Sequence, residues 1–416
     1  MSLIPIRVGF FLAVRQIKHA SLWTTVLIIF VMTLTFLNLV VVNGVLVGLI
    51  QSSVEAERAK YTGDIIISNL NQKPYIERTT SILSVVQALP GLLNYSGRYL
   101  ASGVIEAGYK TKVRPEDITE SAGGVIAGID PVKEDAVTGL SHYMVEGSYL
   151  LPTDYDQILI GANLLYKYTP IDTPGLKNLK TAGLGSKVRL VIGSTTREVT
   201  IKGIVKSKVG ELDQRIFMVD TQLRDIIGRT DLNMNEIAIK LLPGADVLRA
   251  KQVLLDNGFD QVAKIQTFEE AQPKFLKDIS DTFAILGNLI GSIGLAVASI
   301  TIFIVIFVNA ITRRKFIGIL KGIGVDSRAI EYSYIFQSIF YAMAGTGIGW
   351  LVLYGFLVPY IVAHPINFPF SDGILYAPVP GSLLRVGILL ITTVIAGYIP
   401  ARLIVKRNTL DAILGR

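Results

Sequence analysis

The chain contains no cysteine. Disulfides, cysteine nucleophiles and thiolate metal sites are excluded, whatever compartment the polar part of the chain occupies. Histidine is nearly as scarce. His19, His142 and His364 are each isolated in sequence, a lone histidine reads as structural, and no metal motif is present. The chain also lacks G-x-x-x-x-G-K-[ST], G-x-S-x-G, H-E-x-x-H and the Rossmann fingerprint. Gly183–Lys187, GLGSK, imitates half of a phosphate-binding loop but runs into a strand, and Tyr95-Ser96-Gly97 completes no nucleophile motif. Carboxylates such as Glu106, Asp130, Glu134, Asp213 and Asp220 are present. Two of them facing each other could serve as general acid and base; otherwise they read as solvated charges.

Half of the 416 residues are hydrophobic and the formal charge is +7, with a mean hydropathy of +0.49. Together these favour a membrane protein over a soluble basic one. The positive charge lies beside apolar runs and not along a polar face, so no nucleic-acid partner is expected.

Residues 1–20 carry Arg7, Arg15 and Lys18 among Phe10, Phe11, Val14 and Ile17, the pattern of a cytoplasmic amphipathic helix at a membrane surface. The apolar run from Leu22 to Ile50 is too long for a signal-peptide core of roughly 7–15 residues and has no cleavage site. Residues 21–50 therefore read as a first transmembrane helix and stalk, membrane lipid being an expected partner. Polar composition then holds over residues 51–281. Strand-forming segments at Asp64–Ser68, Tyr99–Ala107, Gly124–Ile129, Gln157–Ile160, Lys187–Ile192, Glu198–Val205, Arg215–Val219 and Glu236–Leu241 alternate irregularly with helical patterns at Thr80–Leu89 and Asp246–Asn257. That mixture predicts a large α+β extracytoplasmic domain between helices 1 and 2, with Thr169–Gly185 as its mobile loop.

The remainder predicts a second transmembrane helix and stalk over 282–312, a cytoplasmic coupling segment over 313–330, a third transmembrane helix over 331–358, an outer loop over 359–382, a fourth transmembrane helix over 383–405 and a cytoplasmic tail over 406–416. The fold class is thus membrane α-helical with four transmembrane helices. Lysine and arginine cluster in the N-terminal segment, the central connector and the tail, whereas Tyr360–Ser382 has neither. The positive-inside rule then puts both termini in the cytoplasm, the large domain outside, and the protein in the plasma (inner) membrane. Arg385, just inside the fourth run, can snorkel to the outer interface.

The connector has two readings. Arg313 and Arg314, with Lys315, can hold the membrane boundary against anionic headgroups. Ile317, Leu320 and Ile323 recur at helical spacing, while Gly318, Gly322 and Gly324 permit close approach of another surface, so the segment suits docking as well as simple re-entry. Within the apolar runs, Gly44 and Gly48, Gly287 and Gly291, and Gly345 and Gly349 each lie four apart, which serves packing within the chain or contact with a second copy.

Lys315-Phe316-Ile317-Gly318-Ile319-Leu320-Lys321-Gly322-Ile323-Gly324-Val325 resembles the "REIGILRALGAS" connector of the FtsX/MacB/LolC–LolE permease family of ABC transporters. Tyr398-Ile399-Pro400-Ala401-Arg402 and Asn408-Thr409-Leu410-Asp411-Ala412-Ile413 are similar to its "P-A-R-x-A-x-x-x-P-x-E-A-L" ending. In the outer region, Ala127–Pro131, Glu146–Leu150, Ile158–Leu165 and Gly185–Leu190 follow the family's order "GIDP…G…L…ILIG…LA…GDKV.L". Phe316 stands where the family usually has an acidic residue, and Asn408-Thr409 where it usually has proline.

The resemblance implies a permease subunit, not itself an enzyme, that binds no cofactor. It would pair with a second permease as homo- or heterodimer and work with two copies of a separate ABC ATPase that hold ATP and Mg. Movement of the coupling segment Lys315–Gly324 would be passed to the outer domain, for lipoprotein release or export of amphiphiles. The alternative is a membrane-anchored sensor or scaffold whose outer domain binds a ligand without transport.

Overall fold

A computed structural model describes residues 4–111, 120–170, 177–272, 274–364 and 375–406. The chain forms two compact units, one built on Ser53–Lys274 and the other from the sequence on either side of it.

Among the described residues, four helices, Leu22–Thr62, Leu276–Thr312, Ser327–Ala363 and Val379–Val405, are long and apolar enough to cross a membrane. Every one of them runs beyond the apolar stretch that marked it in the sequence. Hydropathy locates where side chains turn polar, whereas a helix continues as long as its backbone hydrogen bonds propagate. The first continues past Ile50 into polar residues, and the third begins at Ser327, where Asp326 Oδ1 accepts from Arg328 N at 2.9 Å as its N-cap. Two stretches of the first helix, Asn38–Val42 and Arg58–Thr62, and one of the third, Leu353–Leu357, are wound as π-helix.

The membrane-type unit packs around Ile28, Met32, Phe36, Ile302, Tyr334 and Leu389. Its helices approach closely where one lacks a side chain. A Cβ at Gly345 would overlap Met32, and one at Gly349 would lie 2.5 Å from Phe36, so the first and third helices meet along that pair. Gly287 and Gly291 sit against Asn43 and Leu39 of the first helix, while Gly44 abuts Leu375 and Tyr376. These glycines therefore have neighbours within the chain itself. The amphipathic helix Ile4–Lys18 rests on the third helix: Gly9 lies against Tyr332, Phe10 meets Phe336 edge-on with ring centroids 5.5 Å apart, and Gln16 pairs with Gln337.

The polar unit holds one ten-stranded mixed sheet. Its strands are β1 Ile65–Asn69, β2 Leu92–Ala107, β3 Glu120–Ile129, β4 Met144–Gly147, β5 Gln157–Gly161, β6 Lys187–Ile192, β7 Thr195–Val205, β8 Arg215–Val219, β9 Glu236–Leu241 and β10 Ala263–Thr267. The order is β10-β1-β9-β2-β3-β8-β5-β7-β4, with β6 joining β2 and β7. Eight strands coincide with the β-branched segments; β4 and β10, which the sequence pattern did not reveal, lie at the two ends of the order. An edge strand has fewer neighbours to dictate its composition. Helices Thr79–Gln87 and Val247–Asp256 place Ile82, Val86, Ala250 and Leu254 in one cluster with Ile65, Ile67, Ile237 and Ile239. The Gly-Ile-Asp-Pro stretch ends β3 and starts the helix Pro131–Thr138, whose first turn Asp130 caps.

The expected mobile loop Thr169–Gly185 has its middle, residues 171–176, outside the described residues. Its described flanks are held: Thr169 Oγ1 donates to Asn163 Oδ1 at 2.9 Å, and Glu120 Oε2 accepts from the amides of Lys180 and Thr181. The Asn408–Ile413 motif also lies outside the described residues.

Candidate functional site

The coupling segment is a short helix, Arg314–Gly322, between the second and third long helices. Its inner side is anchored. Ile317 is 5% exposed, Gly318 is buried, and Leu320 and Val325 pack on the cluster that contains Ile306, Ala310 and Val405. Lys321 Nζ donates to the carbonyl of Val405 at 3.0 Å, where a cation also meets the negative end of the fourth helix.

The helix ends in a tight reversal. Val325 N donates to Leu320 O at 3.0 Å and Gly324 N to Lys321 O at 3.1 Å, with Gly324 at φ +93°. This is a Schellman termination, in which only glycine takes the left-handed position without strain. Gly324 is thus required by backbone conformation. Gly322, in contrast, has open space around it.

Of the apolar residues expected to share one face, only Ile317 and Leu320 do, and they point inward. Ile323 is 73% exposed and aligns with Phe316, 68% exposed, and Ile319, 52% exposed. On a 100° helical repeat these three fall within about 60° of one another. The correction has a simple cause: Ile317 and Leu320 are one position out of phase with Phe316 and Ile319, so the helix is apolar on two sides. Arg313 and Arg314 are half-buried at its start, and Lys315 is exposed.

In the polar unit the last turn of the first long helix is joined to the sheet by buried charges, of which only Glu134 stood among the carboxylates named from the sequence. Arg98 Nη2 lies 2.7 Å from Glu134 Oε1 and donates to Tyr61 O at 2.8 Å; Arg98 Nη1 reaches Glu236 Oε2 at 3.3 Å. Arg215 donates from both Nη atoms to Glu236 at 3.1 Å, and the Tyr61 hydroxyl donates to Glu236 Oε1 at 2.9 Å. Two guanidinium groups and two carboxylates thereby balance in a region where all four are buried. Burial pushes the Glu236 carboxyl up, but Arg215 and then Arg98 overcome this and hold it at about 2. Lys60 Nζ adds a bond to Ser207 O at 2.6 Å. The signal in the sequence was a charged residue at inward positions of otherwise apolar strands, a pattern that only pairing can stabilise.

The other carboxylates considered for acid–base work are each engaged. Glu106 pairs with Arg189, Asp130 caps a helix, Asp213 accepts from Ser207 and Lys208 amides, and Asp220 accepts from Thr221 N. A second polar cluster lies in the other unit. Arg385 Nη2 donates to Asn43 Oδ1 at 2.8 Å, and Asn43 Nδ2 donates to Asn288 Oδ1 at 3.2 Å.

Residues 288–409, covering most of the second long helix, the connector and the third and fourth helices, match the family model for the FtsX-like permease C-terminal region. This part of the chain is similar to that family. The family resemblance carried by the connector sequence is thereby borne out. Among curated proteins, the chain is 25% identical over 250 residues to ABC transporter permease YtrF of Bacillus subtilis (strain 168), covering 56% of each chain. It is also 25% identical over 239 residues to an uncharacterized ABC transporter permease of Methanocaldococcus jannaschii, covering 55% of this chain and 58% of the other. It spans little more than half the length of these relatives. Among solved structures, the periplasmic region of MacB from Actinobacillus actinomycetemcomitans is similar at a TM-score of 0.35 and 14% identity, covering 52% of this chain and 94% of that one. The extracellular domain of the noncanonic ABC-type transporter YknZ from Gram-positive bacteria follows at a TM-score of 0.32 and 14% identity, with coverages of 49% and 99%.

Proposed function

We propose that this chain is the membrane subunit of an ABC transporter that passes ATP-driven movement to an extracytoplasmic domain, for lipoprotein release or export of amphiphilic substrates. Both termini and the connector face the cytoplasm, where the basic residues cluster. Two separate ATPase subunits, holding ATP and Mg, dock on a pair of permease subunits. The chain itself supplies no catalytic group.

The observation that carries this reading is the exposed stripe Phe316–Ile319–Ile323 on a helix whose opposite side is anchored in its own bundle. Apolar side chains left uncovered on a rigid helix suit a partner's groove. A push on that stripe also reaches the bundle through Ile317, Leu320 and Lys321. At the other end, the Arg98–Glu134–Arg215–Glu236 group fixes Tyr61 to the sheet, so movement of the first helix would carry the outer domain with it.

The test is co-purification of the full-length chain with its co-expressed ATPase, followed by measurement of ATP turnover. Ile319→Glu and Phe316→Glu should each lower recovery of the ATPase at least about tenfold, as expected for a charge placed in an apolar interface. Undiminished recovery and turnover in both variants would sink the docking reading. A partner without Walker motifs would favour the sensor or scaffold instead.

A further inference from the structure

A groove of about 800 Å³ runs along the membrane-type unit between the first and second long helices. Val31, Leu34, Val41, Ile290, Ile293 and Val297 line it, and its lining is almost wholly apolar. From Val31 to Val42 the first helix rises about 16 Å, close to half of the roughly 30 Å hydrocarbon core. The groove is therefore about one leaflet long.

At its end remote from the connector helix the surface turns polar within one residue. Asn43 follows Val42 on the first helix, Asn288 precedes Ile290 by two positions on the second, and Arg385 of the fourth helix bonds Asn43. Arg385 has no carboxylate partner among the described residues. Residues 22–50, 283–312, 332–371 and 373–410 contain neither Asp nor Glu, and Asp372 lies outside the described residues. A cation inside a membrane-spanning segment is costly and marks a site whose counter-ion must be sought. Half-way along the groove, Asn38 Oδ1 is buried without a hydrogen-bond partner, one polar point for a ligand hydroxyl or amide.

We infer that the groove and Arg385 together bind one lipid with a phosphate-bearing, anionic head: its acyl chain lies between the first and second helices, and its phosphate completes the charge of Arg385. The length of the groove fixes the tail, and the guanidinium, held in place by Asn43 and without a carboxylate among the described residues, selects the head. The site stands apart from the docking reading, because it involves no residue of the connector helix.

The experiment is native mass spectrometry of the full chain released from nanodiscs of equal dioleoyl-phosphatidylglycerol and dioleoyl-phosphatidylcholine. The unaltered chain should retain phosphatidylglycerol about fivefold over phosphatidylcholine, the discrimination expected of one arginine at a membrane surface. Arg385→Gln should abolish the preference and Arg385→Lys should keep it. Ile293→Trp, which fills the groove from an exposed position, should reduce retention of both lipids. The inference is overturned by equal retention of the two lipids in the unaltered chain, by an undiminished preference in Arg385→Gln, or by unchanged retention in Ile293→Trp. It is also overturned if Ile293→Trp converts a dimer to monomers without changing lipid per chain, since the groove is then covered by a second copy.

Discussion

Lys321 Nζ holds the carbonyl of Val405 at 3.0 Å, so the short helix that follows the second long helix is tied to the last turn of the fourth. This bond, together with the buried Ile317, makes the connector part of the bundle instead of a loop hung below it. Lys321→Met should loosen the helix with little effect on its apolar contacts. The loss, about 1 kcal/mol for a half-buried charged hydrogen bond, should speed amide exchange in residues 314–322 about fivefold. Unchanged protection there would mean that the bond does not stabilise the helix.

The two glycines at the end of this helix should behave differently. Gly324 has φ +93°, and Gly324→Ala should destabilise the reversal by about 1–2 kcal/mol, detectable as a lower melting temperature of the purified chain. Gly322→Leu meets open space and should leave melting unchanged while lowering ATPase recovery. If both variants melt alike, the left-handed turn is not what Gly324 provides.

Buried charges in the polar unit give a pH-dependent stability. Glu236 has a folded pKa of about 2, below the ordinary value of about 4.3. A depressed carboxylate contributes stability that is present above the ordinary value and is lost as pH falls from there towards 2. Protease resistance of the sheet in the full chain should therefore decline between about pH 4.5 and 2. Glu236→Gln should flatten that decline.

Removing one partner of the same group should be worse than acidification. Arg98→Met leaves Glu134, fully buried, without its main counter-charge, and should cost about 3–5 kcal/mol. Proteolytic cleavage within residues 53–274 is the readout, and cleavage no faster than in the unaltered chain would contradict the pairing.

Helix packing offers a matched pair. Gly345→Leu would force Met32 aside, whereas Gly347 has nothing within 4 Å. The first should lower the yield of monodisperse protein and destabilise the bundle by about 1–3 kcal/mol. Gly347→Leu should be tolerated.

Much of this architecture was legible in the sequence because apolar runs and β-branched segments report burial directly. Ile65-Ile66-Ile67 could only be a buried strand, and the Asp130-Pro131 pair could only be a turn or helix start. The connector was legible as a segment but not as a surface. Ile317 and Ile323 are six apart, and no composition rule says which of two apolar sides a helix presents to its own bundle. The partners of Arg98 and Arg385 were out of reach for a different reason. Glu134 and Asn43 lie 36 and 342 positions away in sequence, and pairings over such distances are set by topology.

The π-wound stretch Asn38–Val42 has a consequence for how the first helix is counted. Before it, Met32 and Phe36 meet glycines of the third helix; Leu39 within it and Asn43 just beyond it meet glycines of the second. A π turn is an α turn holding one residue too many. Deleting a single residue there would restore ordinary winding and leave the residues beyond it facing as they do now, whereas winding the same residues as α-helix would turn everything beyond them by about 100°. In that all-α form the side chains that now fit Gly287 and Gly291 would turn away from them, and Asn43 would leave Arg385. The extra residue is thus a phase setter, and the chain's arithmetic at that point is part of its fold.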